Sequence, residues 1–207
     1  MHENGQLLSQ RKWTAVSGAI KIESLKKRLK PDTSVLGSRK GKRPEAAVAI
    51  IIDPKREGGS LLVIKRMERE GDPWSGQIAF PGGHKSSDDR TYLETAIREA
   101  SEEVGIELSE HEGLGVLPLL YSRTRRVLVA PFVFQLRRDV IVRSNEEVAE
   151  SFWLSLGALS KIEATKSEVK VEDGKLTANS YVLEGHVIWG LTFRIINMLL
   201  AKRGLGN

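Results

Sequence analysis

Residues Gly76–Ile106 read GQIAFPGGHKSSDDRTYLETAIREASEEVGI. The stretch joins a Pro-Gly-Gly turn to a segment of helical periodicity that ends on glycine. Thr91 and Glu94 have the spacing of a capping box, and Gly105 stands where a C′ glycine stops a helix. A helix over Thr91–Val104 puts Leu93, Ala96, Ile97, Ala100 and Val104 on one stripe, the face expected to meet a core. Glu99, Glu102 and Glu103 share a different face at i, i+3 and i+4, with Arg98 beside them. Glu94 lies four residues before Arg98, the favourable order for an ion pair along a helix.

Three like charges on adjoining turns repel, by about a few tenths of a kcal/mol per pair on an exposed helix. A divalent cation converts that repulsion into coordination. Mg²⁺ takes oxygen ligands, keeps several waters and leaves room for substrate phosphates. A solvated acidic surface has the same composition, so the helix alone leaves both readings open. The turn before it adds weight to the metal site. Phe80-Pro81-Gly82-Gly83 permits a tight backbone path. It brings carbonyls, which are hard-cation ligands, and amides, which suit phosphate oxygens, to the same helix face.

Upstream of the turn, Ala46–Asp53 (AAVAIIID) is a short apolar run of strand type, and Leu61–Met67 completes a hairpin across KREGGS. Residues 68–75 form a polar loop, and Ile78–Phe80 is a short strand entering the turn. Downstream, GVLPLLYSR and VLVAPFVFQLR are strands joined at TRR, SFWLSL is a strand, and LGALSK is a helical turn. EVKVEDGKLTANSYVL reads as a hairpin, and IWGLTFRIINMLLAKRG as a helix of about four turns. Strands and helices mix without a βαβ rhythm, which predicts an α+β fold.

The chain has 207 residues, enough for one domain with a decorated end. It has no cysteine, which excludes disulfides and thiolate metal sites, so any metal needs carboxylate, imidazole or carbonyl ligands. No apolar run is long enough to span a bilayer, and the first residues lack the apolar segment of a signal peptide, so a cytoplasmic protein is expected. The net charge of +5 is unevenly placed. Residues 1–43 carry 11 Lys and Arg against 3 Asp and Glu, and the rest of the chain is net acidic. The expected division is a basic N-terminal helix and linker over 1–43, with the helix near Ile20–Lys30 stopped by Pro31, and a domain over 44–207. A basic leader suits an anionic partner, and equally a solvated helix.

Gly83 with Arg98-Glu99-Ala100-Ser101-Glu102-Glu103-Val104-Gly105-Ile106 resembles the Nudix box. Fourteen residues separate Gly83 from Arg98, one more than the usual box, and Asp89 stands where the box has its first glutamate. LLVIKR, Gly76-Gln77-Ile78-Ala79-Phe80-Pro81-Gly82-Gly83, Arg43-Pro44 and Ile188-Trp189-Gly190-Leu191-Thr192 are similar to the coenzyme A pyrophosphatase branch. The likeness runs from about residue 43 to 200. Asp72 stands at the branch's arginine position, with Arg69 the nearest substitute, and TRRVLVAPFV replaces the usual stretch before the Pro-Phe-Val strand.

The resemblance implies a Nudix α/β/α sandwich with a mixed β-sheet. It implies a pyrophosphohydrolase acting on acid anhydrides, dependent on Mg²⁺ or Mn²⁺, cleaving the diphosphate of a nucleoside diphosphate derivative such as coenzyme A. Glu99, Glu102, Glu103 and the Gly82 carbonyl would bind the metal, and Arg98 would orient the carboxylates. The box acid, here Asp89, would support the arginine. Glu147 is the candidate for the further glutamate that a later loop supplies in this family. Arg69, His84, Arg125 and Arg126 are candidates for substrate binding. Trp153, Trp189 and His186 are expected to be structural. The partner is a small-molecule nucleotide, with neither membrane nor nucleic acid expected and a homodimer allowed. The alternative is a nucleotide- or nucleic-acid-binding regulatory module on the same fold, without hydrolysis; such relatives typically lose the box glutamates, and all three are present here.

Overall fold

The computed structural model describes residues 22–31, 43–71, 75–122, 126–171 and 174–201. Four helices lie among them: α1 (Ile22–Lys26), α2 (Tyr92–Val104), α3 (Leu156–Lys161) and α4 (Gly190–Leu200). The first strands are β1 (Ala46–Asp53), β2 (Ser60–Arg66), β3 (Ile78–Ala79) and β4 (Gly82–His84). Then come β5 (Gly113–Val116), β6 (Leu120–Tyr121), β7 (Leu128–Gln135) and β8 (Val148–Ser155). The last three are β9 (Thr165–Val171), β10 (Gly174–Leu183) and β11 (His186–Trp189).

β1 is the central strand, buried on both faces, which is why it reads as an unbroken apolar run. It pairs in parallel with β7, from Ala46 opposite Val129 to Ile52 opposite Gln135. Its other edge is shared. Ile52 and Asp53 pair with β2, while Ala46–Val48 pair with β4, both antiparallel. Between these two ladders the Ala49 amide donates to the Pro81 carbonyl at 2.8 Å. β3 and β8 extend the sheet from β2, and β5 and β6 from β7. Side chains alternate across β1: Ala47, Ala49 and Ile51 join a core with α2, and Ile50 and Ile52 join a core with α1, α3 and α4. Helices thus cover both faces of a mixed sheet, the α/β/α sandwich of the α+β class.

A second, antiparallel sheet of β9, β10 and β11 stands beside α4. Tyr181 of β10 is fully buried, donates its hydroxyl to Asn197 Oδ1 at 2.7 Å and packs on Phe193 at 4.7 Å between ring centroids. That contact fixes the hairpin against α4 and makes it one wall of a cleft.

Four local readings are corrected. Gly82–His84 is a strand and not only a turn, because its partner is β1. GVLPLLYSR divides into β5 and β6 around Pro118, which has no amide to give to a ladder. Ile188 and Trp189 belong to β11, and the last helix starts only at Gly190, whose φ of 62° breaks the strand. The described part of the leader is docked on the domain: Leu25 is 0% exposed in the core with Tyr181 and Phe193. Arg28 Nη1 and Nη2 donate at 2.7 Å to the carbonyls of Met198 and Leu199, respectively, in the last turn of α4. A division at residue 43 therefore assigns a core side chain to the leader.

Leu25→Ala should lower stability by about 2–5 kcal/mol, read as a shift of the urea midpoint at unchanged slope. An unmoved midpoint would mean that α1 contributes nothing to the core.

Candidate active site

The site begins with close approach between α2 and β4. The Gly82 amide donates to Glu103 Oε2 at 2.8 Å, and Arg66 Nη1 lies 3.5 Å from Glu103 Oε1. Glu103 is only 3% exposed. A side chain at Gly82 would meet backbone, and one at Gly83 would displace the Glu99 carboxylate. A Cβ on Gly82 would lie 2.4 Å from the Ala47 carbonyl oxygen, and one on Gly83 would lie 2.4 Å from Glu99 Oε1. The Pro-Gly-Gly stretch is what lets the carboxylates of α2 reach the backbone of β4.

Arg98 is held from behind. Its Nε and Nη2 each donate at 3.0 Å to the two oxygens of Asp89, and Nη2 also reaches the His84 carbonyl at 3.1 Å. In front, Nη1 lies 2.9 Å from Glu99 and 2.8 Å from Glu102. Asp89 is 6% exposed and accepts from the Ser86 amide as well. The Arg98 guanidinium holds the Asp89 carboxyl down at about 2, although burial pushes the other way. Asp89 thus supports the arginine. The expected Glu94–Arg98 pair does not form. Glu94 turns instead to Arg90, whose amide is 2.6 Å and whose Nε is 2.9 Å away. For the same reason the capping box is half made: Thr91 Oγ1 accepts from the Glu94 amide at 3.1 Å, but the Glu94 carboxylate goes to Arg90.

Burial raises Glu103 to about 7 despite the opposing Gly82 amide, with the Glu99 charge adding to the rise. Burial also raises Glu99 against the pull of Arg98, and the charges of Glu102 and Glu147 act in the same sense. Four carboxylates therefore press on one another around two guanidiniums, Arg98 and Arg66. An all-oxygen, anionic donor set is the chemistry that Mg²⁺ and Mn²⁺ take, so the residues fit such an ion. As the side chains stand, no three acidic or imidazole groups among the described residues close round one point. Glu99 and Glu102 are turned to Arg98, and Glu103 to Gly82 and Arg66.

Arg66, Glu99, Glu102 and Glu103 line a cleft of about 760 Å³, together with Gly82, Gly83, His84 and Glu147. The hairpin, β11 and the start of α4 line the same cleft through Lys166, Leu176, Thr177, Trp189 and Leu191. Trp189, expected in the core, is half-buried on the cleft wall. His84 lines the cleft. Arg69 and Arg126 are exposed and do not line the cleft; Arg69 Nη2 binds the Glu146 carbonyl at 3.2 Å. Arg125 falls outside the described residues. Trp153 packs under Arg56 at 5.0 Å, and His186 stacks on Phe152 at 4.4 Å. Arg66 and Lys166 were missed. Strand parity carried a signal for Arg66: Leu62 and Ile64 face α2, and Arg66 is next on that face.

A sequence profile of the NUDIX domain matches residues 42–174. The chain is 36% identical over 142 residues to an uncharacterized Nudix hydrolase, NudL, of Pectobacterium atrosepticum, covering 67% of this chain and 72% of that one. It is 31% identical over 163 residues to the mitochondrial coenzyme A diphosphatase NUDT8 of Mus musculus, covering 76% and 78%. Its fold resembles the crystal structure of a MutT/nudix family protein from Enterococcus faecalis, with a TM-score of 0.52 at 16% identity over 86% of this chain and 72% of that one.

Asp89→Asn tests the support of Arg98. The folded-state pKa of about 2 lies below the ordinary 3.8, so the carboxylate contributes stability above the unfolded pKa. That contribution, about 2 kcal/mol at roughly 1.4 kcal/mol per unit, is lost as pH falls from about 4 through 2. Urea unfolding should show the variant weaker at pH 7, with the gap to wild type closing as the acid limb is approached. A gap that stays constant would remove the ion pair as its cause.

Proposed function

Because this chain belongs to the Nudix hydrolase family, we propose that it cleaves the diphosphate of a nucleotide derivative at the acidic wall of α2. The observation that carries this reading is the gathering of Glu99, Glu102, Glu103 and Glu147 with Gly82 and Gly83 in the lining of one cleft. Glu99, Glu102, Glu103 and the Gly82 carbonyl would hold Mg²⁺ or Mn²⁺. Such an ion, when bound, polarises phosphoryl oxygens and acidifies an attacking water.

The chain's own residues do the rest. Asp89 fixes Arg98, and Arg98 sets the carboxylates of Glu99 and Glu102. The Gly82 amide holds Glu103 in its buried position. Glu147, on a different element, adds a further carboxylate to the metal-binding wall and is also the candidate for proton uptake from water. His84 and Lys166 line the same cleft and can donate to the substrate's phosphates, whereas Arg69 and Arg126 do not line it. The cleft exceeds what a diphosphate needs, and Leu176, Trp189 and Leu191 suit a bulky, partly apolar remainder.

Glu103→Gln keeps size and removes charge. Turnover with Mg²⁺ or Mn²⁺ should fall about 10³-fold or more, near 4 kcal/mol of transition-state stabilisation. A folded variant of full activity would sink the assignment, and so would wild-type turnover in the presence of a chelator.

The likeness to the mouse coenzyme A diphosphatase supports coenzyme A as one substrate. Asp72, at the branch's arginine position, opposes a dedicated site for the adenosine 3′-phosphate. A panel of nucleotide derivatives, with products read by mass, should therefore show cleavage of several diphosphates. kcat/KM for coenzyme A and its 3′-dephospho form should agree within about 100-fold, or about 2.7 kcal/mol, at one salt concentration. A larger preference for the phosphorylated form would make coenzyme A the dedicated substrate, and no cleavage of any diphosphate would favour a binding module.

A further inference from the structure

The loop before β8 delivers Glu147 to the cleft, and it is tied at every residue from 144 to 147. Ser144 Oγ meets Ser151 Oγ at 3.0 Å, and Arg69 Nη2 donates to the Glu146 carbonyl at 3.2 Å. The Met67 amide donates to the Glu147 carbonyl at 2.8 Å. Asn145 makes three bonds at once. Its amide donates to the Glu103 carbonyl at 3.1 Å, its carbonyl accepts from the Val148 amide at 3.3 Å, and its side-chain Oδ1 accepts from the Glu147 amide at 2.9 Å. Half-buried, it lines the cleft with both glutamates.

We infer that Asn145 is a positioning residue that couples the two halves of the carboxylate wall. It bonds directly to one acidic residue on α2 and one on the loop, two elements that no local sequence pattern joins. The main-chain bonds survive most substitutions, but the Oδ1 bond does not. Without it the Glu147 amide loses its acceptor, a loss that destabilises this conformation of the loop, and the Glu147 carboxylate is no longer held toward Glu99 and Glu103. The inference rests on the reading of Glu147 as part of the metal-binding wall.

Calorimetric titration of the full chain with Mn²⁺ alone tests it. Asn145→Ala should weaken Mn²⁺ binding about 10- to 100-fold, the range for residues that orient metal ligands. Asn145→Asp keeps an oxygen at the same place and makes the same turn, so it should bind Mn²⁺ at least as well as wild type. Glu147→Gln should weaken binding by a similar factor to Asn145→Ala, and the double variant no further than the worse single one. Should Asn145→Ala fail to fold, Asn145→Ser, whose hydroxyl accepts more weakly, takes its place with a smaller loss expected. Loss of thermal stability at unchanged Mn²⁺ affinity would reduce Asn145 to a structural residue and overturn the inference. Additive losses in the double variant would overturn it too. If Glu147→Gln itself binds Mn²⁺ as wild type does, the reading of Glu147 fails and the inference falls with it.

Discussion

Glu103 sits at the point where α2 comes closest to the backbone of β4, and the site depends on that distance. A carboxylate 3% exposed needs partners, and it finds the Gly82 amide and Arg66. The approach is possible because what lies between helix and sheet is small. Ala47 and Ala49 of β1 and Ala96 and Ala100 of α2 are all fully buried on the shared face. Glycine at 82 and 83 completes the set, since a Cβ at either position would collide with backbone or with Glu99. Larger residues at these positions would lift α2 away and take its carboxylates out of reach of β4.

The other face of the sheet is built differently. Ile50, Ile52, Leu61 and Val63 meet Phe193, Ile196, Leu199 and Tyr181, a thick apolar layer that carries α4 and the second sheet. Its role in the site is indirect. It holds the hairpin and the start of α4 where they line the same cleft as the acidic wall. Leu25 and Arg28 close this layer from the N-terminal segment. The Arg28 guanidinium donates to two carbonyls in the last turn of α4 and sets positive charge at the negative end of the helix dipole.

Charge is arranged in a line from buried to exposed. Asp89 neutralises Arg98 from behind, and that fixed cation turns Glu99 and Glu102 toward itself. Without Asp89 the guanidinium would be half-buried with only the cleft carboxylates as counterions. Asp89 lies eight residues before Ile97, outside the acidic face of α2, so the helix is served by a residue from the loop that leads into it. The extra residue between Gly83 and Arg98 is accommodated in that loop, and the bidentate pair still forms.

Sequence alone determined what is settled within a few residues. The Thr91 cap, the Gly105 stop with φ 65°, the acidic face of α2, the apolar run of β1 and the hairpin of β9 and β10 are all local in origin. Tertiary structure decided which charges meet. Glu94 and Arg98 have ideal helical spacing, yet Glu94 pairs with Arg90, because Asp89 and the carboxylates of the wall already hold Arg98. Glu103 shares a face with Glu99 and Glu102 on the wheel, yet it alone of the three is buried, because β4 and Arg66 reach it from elsewhere in the chain. Arg69 and Arg126 look as available in sequence as Arg66, but only Arg66 lies on the strand face turned to α2. A periodic pattern fixes where a side chain points on its own element. Its solvation and its partners are set by elements distant in sequence, and those decide its charge and its use.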